Sequence, residues 1–143
     1  MCYNLVPTSC FTMLAYRLNM ITLASTLLSS RKVIALSGAD ATNLLQATTT
    51  NDLGLLSSQP IIYNLLLNPQ GRYLADFFVV KGSGYSFLID VDAANASALL
   101  GRLKMYQLRQ QVSWDETPNM YVVVGGGAPP VIEGAIIVTD LRL

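Results

Sequence analysis

Apolar and polar positions along this chain alternate with two periods, and the switches between them mark out its elements. Arg31–Ser37 (RKVIALS) is short, apolar and partly β-branched, and predicts a strand. Ser37 followed by Asp40 has the form of a capping box, with Ser37 accepting from the N–H three residues on and Asp40 reaching back to the Ser37 N–H. The helix it opens runs from Gly38 to about Ala47, with Ala41, Leu44 and Leu45 on one face. The Thr48–Asp52 cluster ends it, because Thr and Asn compete for backbone hydrogen bonds. Ile61–Leu67 predicts a second strand and Asn68–Gly71 a turn, in which Pro69 sets φ at the second position and Gly71 tolerates a positive φ. Arg72–Val80 is then the returning strand of a hairpin, and after a turn at Lys81–Gly84, Tyr85–Asp90 is the third strand of a meander. Asp92 caps a helix through about Gln107, rich in Ala and carrying a Leu99, Leu100 and Leu103 stripe. Gln111–Asp115, Met120–Val124 and Ala135–Thr139 predict further strands, with a flexible loop over Gly125–Pro130.

Hairpin-joined strands pair antiparallel, and two helices on one face of such a sheet make an α+β layer sandwich. Composition adds one constraint. Of the 143 residues 52% are hydrophobic and only 13% charged, against about 25% charged in an ordinary soluble domain. Either the chain meets a membrane, or it is a piece of a larger body that buries part of this surface. No uninterrupted apolar stretch reaches the roughly 18 residues of a spanning helix, which favours the second.

Charge and residue inventory then exclude chemistry. Lys plus Arg equals Asp plus Glu, nine each, so no general attraction to nucleic acid exists; Arg102, Lys104 and Arg109 read as a solvated helix face or a local basic patch. The absence of histidine removes a Ser-His-Asp triad, a Cys-His pair and most zinc sites. Cys2 and Cys10 have neither CxxC spacing nor the number for a disulfide framework, and read as free thiols. Residues 1–39 hold no acidic side chain but include Arg17, Arg31 and Lys32 among many Ser and Thr. That fits a mitochondrial transit peptide, a secretory segment at Leu18–Leu28, or an upstream extension ahead of Met20. Residues 1–26 are accordingly expected to be an extension or transit-like segment, and 27–143 the folded lobe.

Three places are candidates for chemistry. Asp76 lies inside an apolar strand, where alternation puts Leu74, Asp76 and Phe78 on one face. A carboxylate there must be hydrogen-bonded, paired or lining a cavity, and Arg72, four positions away on the same face, is the simple partner. Arg102–Arg109 reads as a helix end, with Leu103 and Leu108 buried and cations near the negative end of the dipole; alternatively Tyr106 offers a stacking face and Arg109 an anion partner. Thr50, Asn51 and Asp52 either terminate the helix or line a pocket. Asp92 is a helix cap rather than half of an acid pair with Asp90, and Gly125–Gly127 lacks the spacing of a phosphate cradle.

Four short blocks stand in fixed order: Ser37-Gly38-Ala39-Asp40-Ala41, Thr49-Thr50-Asn51-Asp52-Leu53, Leu67–Arg72 running into Asp76–Val80, and Arg102–Arg109. In this order and spacing they resemble the N-terminal half of the YgfZ family, folate-binding relatives of the glycine-cleavage aminomethyltransferase, over roughly residues 27 to 142. The resemblance implies half of the aminomethyltransferase-like fold, with tetrahydrofolate in a cavity between pseudo-symmetric lobes. It implies a non-catalytic role in assembly or repair of iron–sulfur clusters and, in bacteria, a link to tRNA modification through an iron–sulfur enzyme. Folate and iron–sulfur assembly or client proteins are the implied partners, without direct nucleic-acid contact or a membrane span, in the bacterial cytoplasm or the mitochondrial matrix of a eukaryote. Carried onto these blocks, the cofactor-binding residues are Asp76, which would accept from the N–H edge of the pterin, Asn51, Tyr106 and Arg109; no catalytic or metal-ligating residue is implied. The family's Lys-Gly-Cys-Tyr-x-Gly-Gln-Glu block and its cysteine are absent from this chain, which on that pattern looks like a fragment, the product of a truncated gene or a degenerate copy. Two alternatives stand beside this one. A true aminomethyltransferase would carry Gly-Gly where Gln70-Gly71-Arg72 stands and paired Asp where Ala75-Asp76 stands. A ligand-free interaction module would survive by pairing its exposed strand edges with another chain.

Overall fold

The computed structural model describes residues 2–7, 25–82, 84–116, 120–125 and 136–139, with side chains described over 28–82 and 84–116. The chain divides into two compact units, Met1–Arg31 with Asn119–Leu143, and Lys32–Pro118. The first holds β1 (Cys2–Pro7), β2 (Ser25–Leu27), and the two last strands of the chain, Met120–Gly125 and Ile136–Thr139. Cys2–Pro7, within the stretch expected to be an extension, is an inner strand: it pairs antiparallel with Met120–Gly125 on one side and Ile136–Thr139 on the other. Cys10 and the glycine-proline loop beyond Gly125 lie outside the described residues.

The second unit, entered one residue into β3 (Arg31–Ser37), continues through α1 (Ala41–Thr48), a 3-10 turn (Leu53–Ser57), β4 (Ile61–Leu67), β5 (Tyr73–Lys81), β6 (Phe87–Asp92), α2 (Ala93–Gln107) and β7 (Ser113–Asp115). Its five-stranded sheet has the order β4-β5-β6-β3-β7. The expected α+β architecture, an antiparallel sheet with two helices on one face, is what forms. Ile34, Leu36, Ile62, Leu66, Phe77, Val79, Ile89 and Val91 of the sheet pack with Ala41 and Leu45 of α1 and Ala96, Leu99, Leu100 and Leu103 of α2 in one core. Each fully buried large side chain there stabilises by about 1.5–3 kcal/mol. The other face carries Val33, Ala35, Ile61, Phe78, Val80 and Leu88, also buried. Strands buried on both faces lose the polar half of their alternation, which accounts for runs such as Phe77–Val80 and for the scarcity of charge.

The turns are legible in atomic detail. Asn68 Oδ1 accepts from the N–H of Gln70 (3.0 Å) and of Arg72 (2.8 Å), and Gly71 takes φ +79°. The hydroxyls of Thr48 and Thr49 donate back to the carbonyls of Leu44 and Leu45 at 2.7 and 2.8 Å, closing α1. Asp92 Oδ1 accepts from Ala94 N–H at 2.9 Å and caps α2 as expected.

Three expectations are corrected. The helix opens at Ala41, with Asp40 rather than Ser37 at its N-cap and no side-chain cap bond. Gly38 holds φ +126° against the backbone of Gln111, and Asp40 turns its Oδ2 to the Gln111 N–H (2.8 Å) instead of back to Ser37. Leu108, expected to be buried, is 88% exposed; its positive φ of 46° breaks the helical period one residue past α2 and turns the side chain outward. Leu74 joins the helix-side core rather than sharing a face with Asp76, because the register shifts between Leu66 and Leu67: Leu66 faces Ala75 while Leu67 faces Tyr73. Leu74 is the extra residue of a β-bulge.

Candidate functional site

That bulge builds the site. Under strict alternation, residues 73 and 76 would point to opposite faces. One inserted residue restores parity, and Tyr73 comes to lie beside Asp76. The Tyr73 hydroxyl donates to Asp76 Oδ1 at 2.5 Å, and the Tyr63 hydroxyl, from the neighbouring strand, donates to Oδ2 at 3.1 Å. Asp76 itself is half-buried, opposite Leu65 in the register. Both phenols hold the carboxylate, whereas Arg72 precedes the strand, its backbone closing the Asn68 turn. The Asp76 carboxylate raises the pKa of Tyr73 above 10, chiefly because the hydrogen bond to it would be lost on ionisation of the phenol.

The two tyrosines are held differently. Tyr63 sits mid-strand and half-buried, its ring 5.3 Å from that of buried Phe78 and inclined by 55°. Tyr73 is the first residue of β5 and 56% exposed.

Asn51 stands behind Tyr63. Its Nδ2 donates to the Tyr63 carbonyl at 3.1 Å, and its N–H donates to Oδ1 of fully buried Asn64 at 2.7 Å. With Thr50, which exchanges bonds with the backbone of Leu65 (3.2 Å from the Thr50 N–H, 3.1 Å to its Oγ1), it runs along the open edge of β4. This segment both ends the helix and covers a strand edge that would otherwise be unpaired.

Tyr106 and Arg109 come together elsewhere. With Asp40, Leu108 and Gln110 they line a hollow of about 690 Å³ at the C-terminal end of α2. Tyr106 packs partly on the helix-side core, so the sheet stands between this hollow and Asp76. The structure therefore joins Asn51 to Asp76 through Tyr63, and Tyr106 to Arg109, as two separate groups. Gln107 anchors the second: its Nε2 donates to the carbonyl of Val112 at 2.8 Å and its Oε1 accepts from Trp114 Nε1 at 2.9 Å.

Tyr63 and Tyr73 were not among the residues the sequence singled out. Tyr63 was reachable, since pairing Ile61–Leu67 with the return strand brings it diagonal to Asp76. Tyr73 was not, because nothing in the local pattern announces the bulge. Among the described residues no cluster of three or more His, Cys, Asp or Glu could hold a metal ion, and no helix is long and apolar enough to cross a membrane.

Comparison with known proteins gives this geometry a lineage. The model of the GCVT N-terminal domain family matches residues 27–139. The iron–sulfur cluster assembly factor IBA57 homolog, mitochondrial, of Pyricularia oryzae is 37% identical over 123 residues, covering 74% of this chain and 31% of that protein. The mitochondrial iron–sulfur cluster assembly factor IBA57 of Mus musculus is 31% identical over 109 residues, covering 66% of this chain and 30% of that protein. The chain thus spans less than a third of the length of these relatives. Among solved structures, the glycine cleavage system aminomethyltransferase T from Bartonella henselae matches with a TM-score of 0.61 at 22% identity, over 69% of this chain and 27% of that one.

Proposed function

From the premise that the chain belongs to the GCVT N-terminal domain family, we propose that it is the N-terminal lobe of an iron–sulfur cluster assembly factor of the YgfZ and IBA57 kind, with Asp76 on one wall of a tetrahydrofolate cavity. One observation carries the ligand part: a half-buried strand carboxylate whose oxygens are each oriented by a phenol, beside an aromatic pair.

The donor set suits a reduced pterin. Its 2-amino-4-oxo ring presents two parallel N–H donors, and a carboxylate accepts such an edge with both oxygens. Tyr63 orients Oδ2 and offers part of an aromatic wall for the ring; Asn51 holds the Tyr63 backbone in place. Tyr106 and Arg109, behind the sheet, do not reach the same ring and are assigned to a second contact, in which the guanidinium takes a carboxylate and the phenol ring lies alongside. Bound folate would supply a one-carbon carrier. The residues of this chain bind and orient it.

The identity to iron–sulfur assembly factors supports the biological half of the reading, with assembly proteins and iron–sulfur enzymes as partners. The relatives' mitochondrial names support the matrix in a eukaryotic cell; in a bacterium the place would be the cytoplasm, with tRNA modification affected through a client enzyme.

Calorimetry tests the ligand half. The 143-residue chain is expected to bind tetrahydrofolate under reducing conditions, and Asp76→Asn to weaken binding by about 10- to 100-fold, the worth of charge-assisted hydrogen bonds. Absence of heat at near-millimolar ligand sinks the pterin assignment. Expression in cells lacking their own assembly factor, with four-iron enzyme activity as the readout, tests the other half. Production of methylene-tetrahydrofolate from a lipoyl-bound intermediate would instead make it an aminomethyltransferase.

A further inference from the structure

Of the two phenols that donate to Asp76, one is well anchored and one is loose, and that asymmetry has a use. Tyr63 is pinned on three sides: its ring against Phe78, its carbonyl by Asn51, its position by the middle of β4. Tyr73 begins β5, directly after the Asn68–Arg72 turn and next to the bulged Leu74, with more than half of its surface in water. A phenol in that position leaves the carboxylate at little cost, since water replaces what it loses.

Taking as given that Asp76 is the pterin acceptor, we propose that Tyr73 is a displaceable cover on it. In the unliganded protein the Tyr73 hydroxyl holds Oδ1. A heterocycle with an amidine-type N–H edge approaches from the solvent side, takes that position, and pairs with both oxygens, while Tyr63 stays and fixes the plane of the carboxylate. Tyr73 thereby sets a threshold. A ligand with a single N–H donor replaces one bond by one bond and gains nothing, whereas a two-donor edge gains a bond in the exchange. The selectivity is for 2-amino-4-oxo pteridines over heterocycles with one donor. The covalent bonds are untouched throughout; only a hydrogen bond is traded.

The two phenols are then expected to have opposite effects. Titration of the whole chain with 6-methyltetrahydropterin, which lacks the folate tail, should show Tyr73→Phe binding about two- to tenfold tighter than wild type, the worth of one neutral hydrogen bond. Tyr63→Phe should bind more weakly by a similar factor, with circular dichroism as the control for folding. A second readout follows Tyr73 itself. The ultraviolet titration of wild type minus that of Tyr73→Phe isolates its phenol among the seven tyrosines, and saturating pterin should move it back toward 10. Tighter binding with that shift, or binding seen only once Tyr73 is removed, supports the displaceable cover. Equal or weaker binding by Tyr73→Phe, with wild type binding and Asp76→Asn not, overturns the cover and leaves the pterin site standing. No binding by wild type or any variant removes both.

Discussion

Replacing Gly38 by alanine tests how the start of α1 is clasped to the segment after α2. Gly38 lies at φ +126°, a conformation that costs an L-residue about 1–3 kcal/mol. A Cβ added there would stand 2.2 Å from the carbonyl oxygen of Gln111 and 3.0 Å from the Cα of Val112. Both are backbone atoms, so no side chain can rotate away and the two segments must separate. Separation lengthens the bond from Gln111 N–H to Asp40 Oδ2 (2.8 Å) and the weaker one from Asp40 N–H to the Gln111 carbonyl (3.4 Å). An exposed pair of this kind is worth about 1 kcal/mol. The sum is about 2–4 kcal/mol, a large share of the roughly 5–15 kcal/mol that holds a domain folded. Gly71→Ala is the matched control: φ is also positive, +79°, but nothing lies within 4 Å of the added carbon, so only the backbone cost of about 1–2 kcal/mol remains. Urea unfolding reports both, read by Trp114, the single tryptophan of the chain. With a slope of about 2 kcal/mol per molar, Gly38→Ala should lower the midpoint by about 1–2 M and Gly71→Ala by about half as much. Equal midpoints for the two variants would refute the close approach at Gln111.

Three further outcomes are expected. Gln107→Ala strips Trp114 Nε1 and the Val112 carbonyl of their partner; a loss of about 1–3 kcal/mol and a shift in tryptophan emission should follow, and an unchanged spectrum would contradict the contact. Asp92→Ala removes the cap of α2 and should cost about 1 kcal/mol, seen as a lower thermal midpoint. Asp76→Asn should lower the Tyr73 pKa toward 10, because the bond to the carboxylate is the largest cause raising it. Since the folded value lies above the unfolded one, the stability this phenol contributes is complete below about pH 10 and is lost as pH rises through the folded pKa. The variant should therefore lose less stability than wild type across that alkaline window, and identical curves would exclude the coupling.

Local sequence determined most of the elements. Ile61–Leu67 forms with the expected bounds, the Asn68–Gly71 turn has its Asx bonds and positive φ, Asp92 caps α2, and the leucines at 99, 100 and 103 are buried. These depend on neighbours within four or five residues, and propensity, periodicity and side-chain capping act at that range. The block order also carried the family resemblance, with Asp76 standing out as a carboxylate in an apolar strand.

Tertiary structure decided what local pattern is silent about. Asp40 had two ways to satisfy its carboxylate, the Ser37 N–H nearby and the Gln111 N–H seventy-one positions on, and the packing of Gly38 on Gln111 selected the second. The bulge at Leu74 exists only because β4 and β5 pair in one register, and a single extra residue reversed which side Leu74 and Tyr73 face. Parity along a strand is a cumulative count, so one insertion resets it for everything before. The separation of Asp76 from Tyr106 and Arg109 has the same origin: which face of a sheet a residue occupies, and which strand lies between, is settled by pairing across the chain rather than along it.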